Sequence, residues 1–179
     1  MLLKNIVSIR SGVHQQPDLT GGIRYLQASD IVGKTTDKAY VEDSKMARKH
    51  LLKEGHVLLA AKGHQHIAWA YHDETGPAVA STFFLVLELQ ENNVLPEYLA
   101  AFLNLPKIRL KLQSLGGGSF TPIIRKKDLE NLSVEIPSLD QQHLIINLLS
   151  LQKRRGELQQ ELMNSQQVLT ETIVQRLIF

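Results

Sequence analysis

The residues from Pro137 to Phe179 constrain the fold more than any other stretch. From Leu144 the apolar side chains step by four and three, through Leu144, Leu148, Leu151, Leu158, Leu162 and Leu169. Arg155 and Ser165 occupy the two seam positions that interrupt the run, and Ile173 and Leu177 extend the stripe. A 4-3 step has a period of 3.5 residues, which keeps one narrow seam facing a partner helix. Ser138 stands three residues before Gln141 in a capping-box pattern, and Pro137 blocks any helix upstream. Beyond Pro137 only Gly156 interrupts the helix formers, so the pattern predicts a helix of about 37 residues, roughly 55 Å long at 1.5 Å per residue. Such a helix cannot bury both ends against a domain of this size. It needs a partner helix.

The full chain has 179 residues, enough for one compact domain with a sizeable core in addition to that helix. Its net charge of +2 is only mildly basic, so the placement of its Lys and Arg residues matters more than their number. The absence of Cys excludes disulfides, cysteine nucleophiles and thiolate metal sites, and fits a reducing compartment. The opening MLLKNIVSIRSG lacks the longer apolar core of a signal peptide, and no apolar run approaches membrane-spanning length. A cytoplasmic location is expected.

Along residues 1–136 the patterns alternate between strand and helix. Residues 3–9 form a short apolar segment, Ile23–Leu26 reads as a strand, and Ala28–Ile31 as a turn. Ser44 to Leu52 has helical spacing with a Ser cap, Met46 and Leu51 or Leu52 on one face, and Gly55 as its stop. Val57–Ala61 is a continuous apolar run bounded by glycines, the mark of a buried strand. Ile67–Tyr71 and Thr82–Leu89 are two more strands, separated by the turn signal Asp73-Glu74-Thr75-Gly76-Pro77. Pro96 sits at the first position of a helix running to Leu103, and Pro106 ends or kinks it before a second helix, Ile108–Leu115. Ser119–Ile124 reads as extended, Lys127–Asn131 as a short helix and Leu132–Ile136 as a last strand. The fold class is α+β, with a mixed globular domain over 1–136 and a long helix over 137–179.

Catalytic patterns are poorly represented. Gly116-Gly117-Gly118-Ser119 lacks the Lys-Ser/Thr that closes a nucleotide loop, and it follows a helix rather than a strand. His64 and His66 alternate as a metal pair on a strand would, but no third ligand lies nearby in sequence. No nuclease-like carboxylate cluster or nucleophile elbow is present. No catalytic residue, metal ligand or cofactor site is assigned. Basic and amide-bearing side chains gather instead at loop positions: Lys62, His64, Gln65 and His66 after the buried strand, and Ser119, Thr121 and Arg125 after the triple glycine. Lys and Arg neutralise phosphates, while Gln, Ser, Thr and His reach base edges. With a dimerising helix attached, the set suggests a site-specific reader of double-stranded DNA.

Several segments in fixed order carry a resemblance. They are Gly55-His-Val-Leu-Leu-Ala-Ala-Lys-Gly63, Pro77-Ala-Val-Ala-Ser81 leading into Phe83-Phe84, and Leu95-Pro-Glu-Tyr-Leu-Ala100. The fourth runs from Thr121-Pro-Ile-Ile-Arg-Lys-Lys-Asp-Leu129 through Val134-Glu-Ile-Pro137 to Ser138-Leu-Asp-Gln-Gln142. Together they resemble the target recognition domain of type I restriction–modification specificity subunits, over essentially the whole chain. The resemblance implies a non-catalytic subunit that reads DNA and recruits methyltransferase and motor-nuclease subunits. Members of that family usually carry two recognition domains and two long helices packed antiparallel as a spacer, whereas this chain has one of each. It is therefore either a fragment of a longer subunit or a half-subunit that restores the architecture as a homodimer, and its start at Met1 and end at Phe179 favour the half-subunit. A two-fold axis across an isologous helix pair makes the helices antiparallel and separates two identical readers, which suits an inverted repeat with a spacer. An interaction protein that docks through its helix and does not bind DNA is the alternative.

Overall fold

The computed structural model describes residues 1–18, 21–31, 38–73, 76–116 and 122–179. Glu74, Thr75 and the Gly117–Thr121 stretch, including Ser119 and Thr121, lie outside the described residues. The chain divides into two compact units, Met1–Gln142 and His143–Phe179.

The first unit is built on two sheets. A four-stranded antiparallel sheet has the order β1 (Val7–Ser11), β7 (Phe84–Leu89), β4 (Val57–Ala60), β5 (Ala68–Ala70). A three-stranded sheet places β2 (Ile23–Leu26) between β3 (Tyr40–Val41), antiparallel, and β6 (Ala78–Ala80), parallel. Strand side chains alternate between faces, so β6 divides its residues. Ala78 and Ala80 join Leu26, Leu58, Phe84 and Val86 in one core cluster, while Val79 joins Ile23, Tyr25, Val41 and Ala47 in another. Trp69 and Phe83 each set a ring edge-on to Phe84, with centroids 5.1 Å apart. Alanines at 78 and 80 allow close approach, and so does Gly12. A Cβ on Gly12 would lie 2.0 Å from the Ser81 carbonyl oxygen, where Val13 N–H donates to Ala80 O at 2.8 Å.

Helices cover this frame. α1 (Ala28–Ile31) is a single turn where a non-helical turn is expected, held by Arg24–Asp30 at 3.0 Å and by Gln27 N–H donating to Asp30 Oδ2 at 2.7 Å. α2 (Lys45–Lys49) has the expected cap, the Ser44 hydroxyl accepting from Ala47 N–H at 3.1 Å. It ends well before Gly55, and it buries Ala47 rather than Met46, which is exposed. α3 (Pro96–Asn104) begins on a proline as expected, and α4 (Pro106–Leu115) begins two residues before the expected Ile108, with Pro106 opening it, because a first-turn N–H has no helical partner to lose. α5 spans Lys126–Glu130. Leu132–Ile136 is not a sheet strand. Among the described residues its backbone pairs with the N-terminus, with Leu3 N–H donating to Leu132 O at 2.8 Å and Val134 N–H to Met1 O at 2.7 Å.

α6 (Leu139–Ile178) has 40 residues, a length of about 60 Å at 1.5 Å per residue. Its capping box is formed: Gln141 N–H donates to Ser138 Oγ at 3.4 Å, and Ser138 N–H donates to Gln141 Oε1 at 3.2 Å. The next residue, Gln142, is fully buried. Its Oε1 accepts from Leu95 N–H at 2.8 Å, and its Nε2 donates to Asn93 O at 2.8 Å and Pro137 O at 2.9 Å. One amide thus joins the first turn of α6 to the loop that starts α3. Leucine at position 142 would leave three backbone groups without partners, each costing about 1–3 kcal/mol where water stays excluded. Gln142→Leu is expected to lose at least about 2 kcal/mol of stability in urea unfolding, while Gln141→Leu, at an exposed position, loses less than half as much.

Candidate nucleic-acid interface

The residues Ala61 to Gln65 link β4 to β5 at one end of the four-stranded sheet. β4 is buried along its whole length and leads into half-buried Lys62, and Gly63 turns the chain with φ +86°, a conformation that glycine adopts without a Cβ penalty. His64 and Gln65 are exposed. Lys62 Nζ donates to Thr82 Oγ1 at 3.3 Å.

A second segment, distant in sequence, closes on this link. Gly63 N–H donates to Pro122 O at 3.0 Å and Ile124 N–H to Ala61 O at 2.8 Å, with Lys62 opposite Ile123 in an antiparallel bridge. Ile124 is buried, and it fixes Arg125 as the exposed residue that opens α5. The structure therefore brings Lys62, His64, Gln65 and Arg125 to one edge of the fold. α4 braces the same edge, as Gln113 Nε2 donates to His64 O at 3.1 Å and Gly116 packs against Pro122. Sequence patterns do not reveal Gln113 or Asn104. The Asn104 amide accepts from Ala68 N–H at 2.9 Å and donates to Ala68 O at 2.6 Å, satisfying the outer side of edge strand β5.

His66 is the exception to the expected surface set. It is 0% exposed, so it does not reach a base edge from this fold and shares no face with exposed His64. Its Nδ1 lies 2.9 Å from Ala60 O, and a carbonyl only accepts, so Nδ1 carries the proton. Its Nε2 has no partner among the described residues. Burial holds His66 below the ordinary imidazole value; the Ala60 carbonyl opposes that shift, and the charges of Arg109 and His64 reinforce it. Its role is to fold the link from within. Among the described residues no group of three His, Asp or Glu side chains is placed to hold a metal ion.

The second unit is a continuous helix with an apolar stripe. Leu144, Leu148, Leu151, Leu158, Leu162 and Leu169 are 48–67% exposed. Arg155, on the same seam, is exposed, and Ser165 turns its hydroxyl back to Glu161 O at 2.9 Å. These leucines form a continuous row on one helix face and are not a scatter of single exposed side chains.

The head is α+β and presents basic and amide groups on paired loops, and a long helix with a heptad stripe follows it. Residues 10–165 match the model of the type I restriction modification DNA specificity domain, and the chain belongs to that family. Two solved structures share the fold. One is the S subunit of a type I restriction-modification system from M. genitalium, with 14% identity and a TM-score of 0.64 over 88% of this chain and 39% of that one. The other is the HsdS subunit from Thermoanaerobacter tengcongensis, with 16% identity and a TM-score of 0.65 over 87% and 37%. The chain thus spans about two fifths of the length of these solved chains. No curated protein matches it. No helix among the described residues is long and apolar enough to cross a membrane.

The buried imidazole has a consequence for stability. Folded His66 resists the proton that the unfolded chain accepts near pH 6.5, so the unfolded state binds more protons as pH falls below that value and stability declines. Burial also lowers His56, whose Nε2 faces Glu88 at 3.7 Å, and it adds to the decline. His66→Asn keeps an N–H for the Ala60 carbonyl and removes the titration. Its urea-unfolding free energy is expected to fall less between pH 7 and pH 5 than that of the parent chain, with remaining slope from His56 and, toward pH 5, from Glu54 and Glu88, whose carboxyls are also held below their ordinary values.

Proposed function

We propose that this chain is a DNA-reading specificity subunit of a type I restriction–modification system, without chemistry of its own, and that it works as a homodimer. In this reading residues 1–136 recognise DNA and residues 137–179 form the dimerisation and spacer helix. Membership of the specificity-domain family supports the reading, and one observation carries it: backbone pairing of Ala61–Gly63 with Pro122–Ile124 gathers Lys62, His64, Gln65 and Arg125 on one edge. Lys62 and Arg125 neutralise phosphates, and His64 and Gln65 reach base edges. Ser119 and Thr121 join them in the proposal as polar loop contacts on sequence grounds. The assembled complex would add methyltransferase subunits, and a motor-nuclease subunit where restriction accompanies modification.

A second copy of this chain is the proposed occupant of the α6 stripe. The solved S subunits are more than twice as long, and an isologous pair would supply a second reader and a second helix from the same gene product. With the two-fold axis across the helix pair the helices would run antiparallel, and the dimer would suit a bipartite inverted repeat, with the helix length setting the gap.

Light scattering at low and moderate salt is expected to give a mass near twice 20.2 kDa. A monomer at all concentrations would overturn the homodimer. Leu151→Glu with Leu158→Glu places charges on the seam and is expected to weaken dimerisation by about 100-fold or more, since each unpaired carboxylate must be desolvated. Selection from a random duplex pool is expected to return an inverted repeat with a fixed spacer. Gln65→Ala then relaxes one position of the site by about 1–3 kcal/mol, and Arg125→Ala weakens all duplexes alike. A pool that returns no sequence would reject the reader function.

A further inference from the structure

α4 presents a charged face that the recognition loops do not account for. Ile108 and Leu115 are half-buried and Leu112 is fully buried, so one side of the helix packs on the fold. The opposite side carries Lys107, Leu110, Lys111 and Ser114, all exposed and spaced to share one face. Leu110, 66% exposed, is a single apolar side chain and not a patch. No Asp or Glu occurs in residues 105–116, 61–72 or 122–127.

The charge runs against what the helix itself favours. Its first turn has no acidic residue and its last turn no basic one. Lys107, just after Pro106, meets the positive end of the helix dipole, where a cation is unfavourable by some 0.3–1 kcal/mol. A feature that opposes local stability is a mark of function when an anion would reverse its sign. Lys107 and Lys111 lie about 6 Å apart along the helix axis, close to two steps of a DNA strand at about 3.4 Å each. Gln113, two residues beyond Lys111, holds the His64 carbonyl at 3.1 Å, so the basic face ends at the edge described above.

We propose that the outward face of α4 is a phosphate-binding track for one strand of duplex DNA, with Lys107 and Lys111 as sequence-independent contacts flanking the recognition edge. This rests on the DNA-reading function proposed above and extends its footprint along α4. Lys107 and Lys111 supply affinity and alignment, while discrimination between sequences stays with the loops.

The test needs no knowledge of the target site. Binding of the full chain to a mixed-sequence duplex is measured by fluorescence anisotropy across a salt series, for the parent, K107Q/K111Q and the control K153Q, whose lysine pairs with Glu157 on α6. Each lost phosphate contact reduces the slope of log Kobs against log salt by about 0.9, so the double variant is expected to lose nearly 2 from the slope. Affinity falls by roughly 10- to 60-fold near 0.1 M salt, and thermal stability is unchanged or higher because the helix dipole is no longer opposed. K153Q keeps the parent slope. An unchanged slope in K107Q/K111Q beside clear binding by the parent overturns the track and leaves the reader function standing, and so does an unchanged slope accompanied by loss of a protein partner. Absence of salt-dependent duplex binding by the parent rejects both.

Discussion

A backbone N–H or C=O withdrawn from water must find a partner, and in this fold two side-chain amides meet that requirement where secondary structure cannot. Gln142 does so at the start of α6, where the extended segment after Leu132, the loop before α3 and the first helical turn converge on one buried side chain. Asn104 does so at the outer edge of β5, pairing both backbone groups of Ala68. Both are amides, able to donate and accept at once. A carboxylate in either place would lose its donor, and an aliphatic residue would leave every group orphaned. The Gln141–Gln142 pair therefore divides its work. Gln141 completes the capping box in solvent, and Gln142 fixes the helix start to the fold.

That division explains why some of the structure is legible in the sequence and some is not. Local physics writes itself plainly: the Ser138–Gln141 box, the Ser44 cap, the proline opening α3, the apolar run of β4, and the full span of β2 as Ile23–Leu26. What sequence patterns miss is set by partners far along the chain. β6 is only Ala78-Val79-Ala80, too short and small to signal a strand, and its identity comes from parallel pairing with β2. Leu132–Ile136 shows the reverse. Its apolar alternation reads as a strand, yet its pairing is spent on the N-terminus, and its burial comes from Leu132 and Val134 instead of a sheet.

The candidate interface follows the same rule. Lys62, His64, Gln65 and Arg125 stand out as polar groups at loop positions, and chain order separates Arg125 from the others by about 60 residues. Their convergence depends on hydrogen bonds from Gly63 and Ile124 that no periodicity announces. His66 was indistinguishable from His64 by sequence, since both flank a glutamine after the same strand. Burial separates them, and with burial comes a change of task from surface contact to internal brace. A net charge of +2 likewise hides the concentration of cations on α4 and its neighbours, because acidic residues elsewhere offset them.

Charge placement also distinguishes the two surfaces proposed for association. On the helix after Gln142, four Lys and Arg residues stand against three Glu, and Lys153 and Arg154 both pair with Glu157 within the helix at 3.9 and 3.5 Å. Little net field remains there, and exposed pairs of this kind contribute modestly. Attraction between two copies of α6 would come from leucine burial, which salt does not screen. The α4 face and the paired loops are the opposite case: residues 105–116, 61–72 and 122–127 contain no Asp or Glu, so the proposed attraction to a polyanion would weaken as counterions compete. The proposed dimerisation and the proposed DNA binding would thus respond differently to salt, and raising it would strip DNA from an intact dimer. A change at the leucine seam would instead break the dimer and leave each head its phosphate contacts. What the single head would then lose is the second half of the proposed target, so in this reading the helix would contribute to recognition without touching a base.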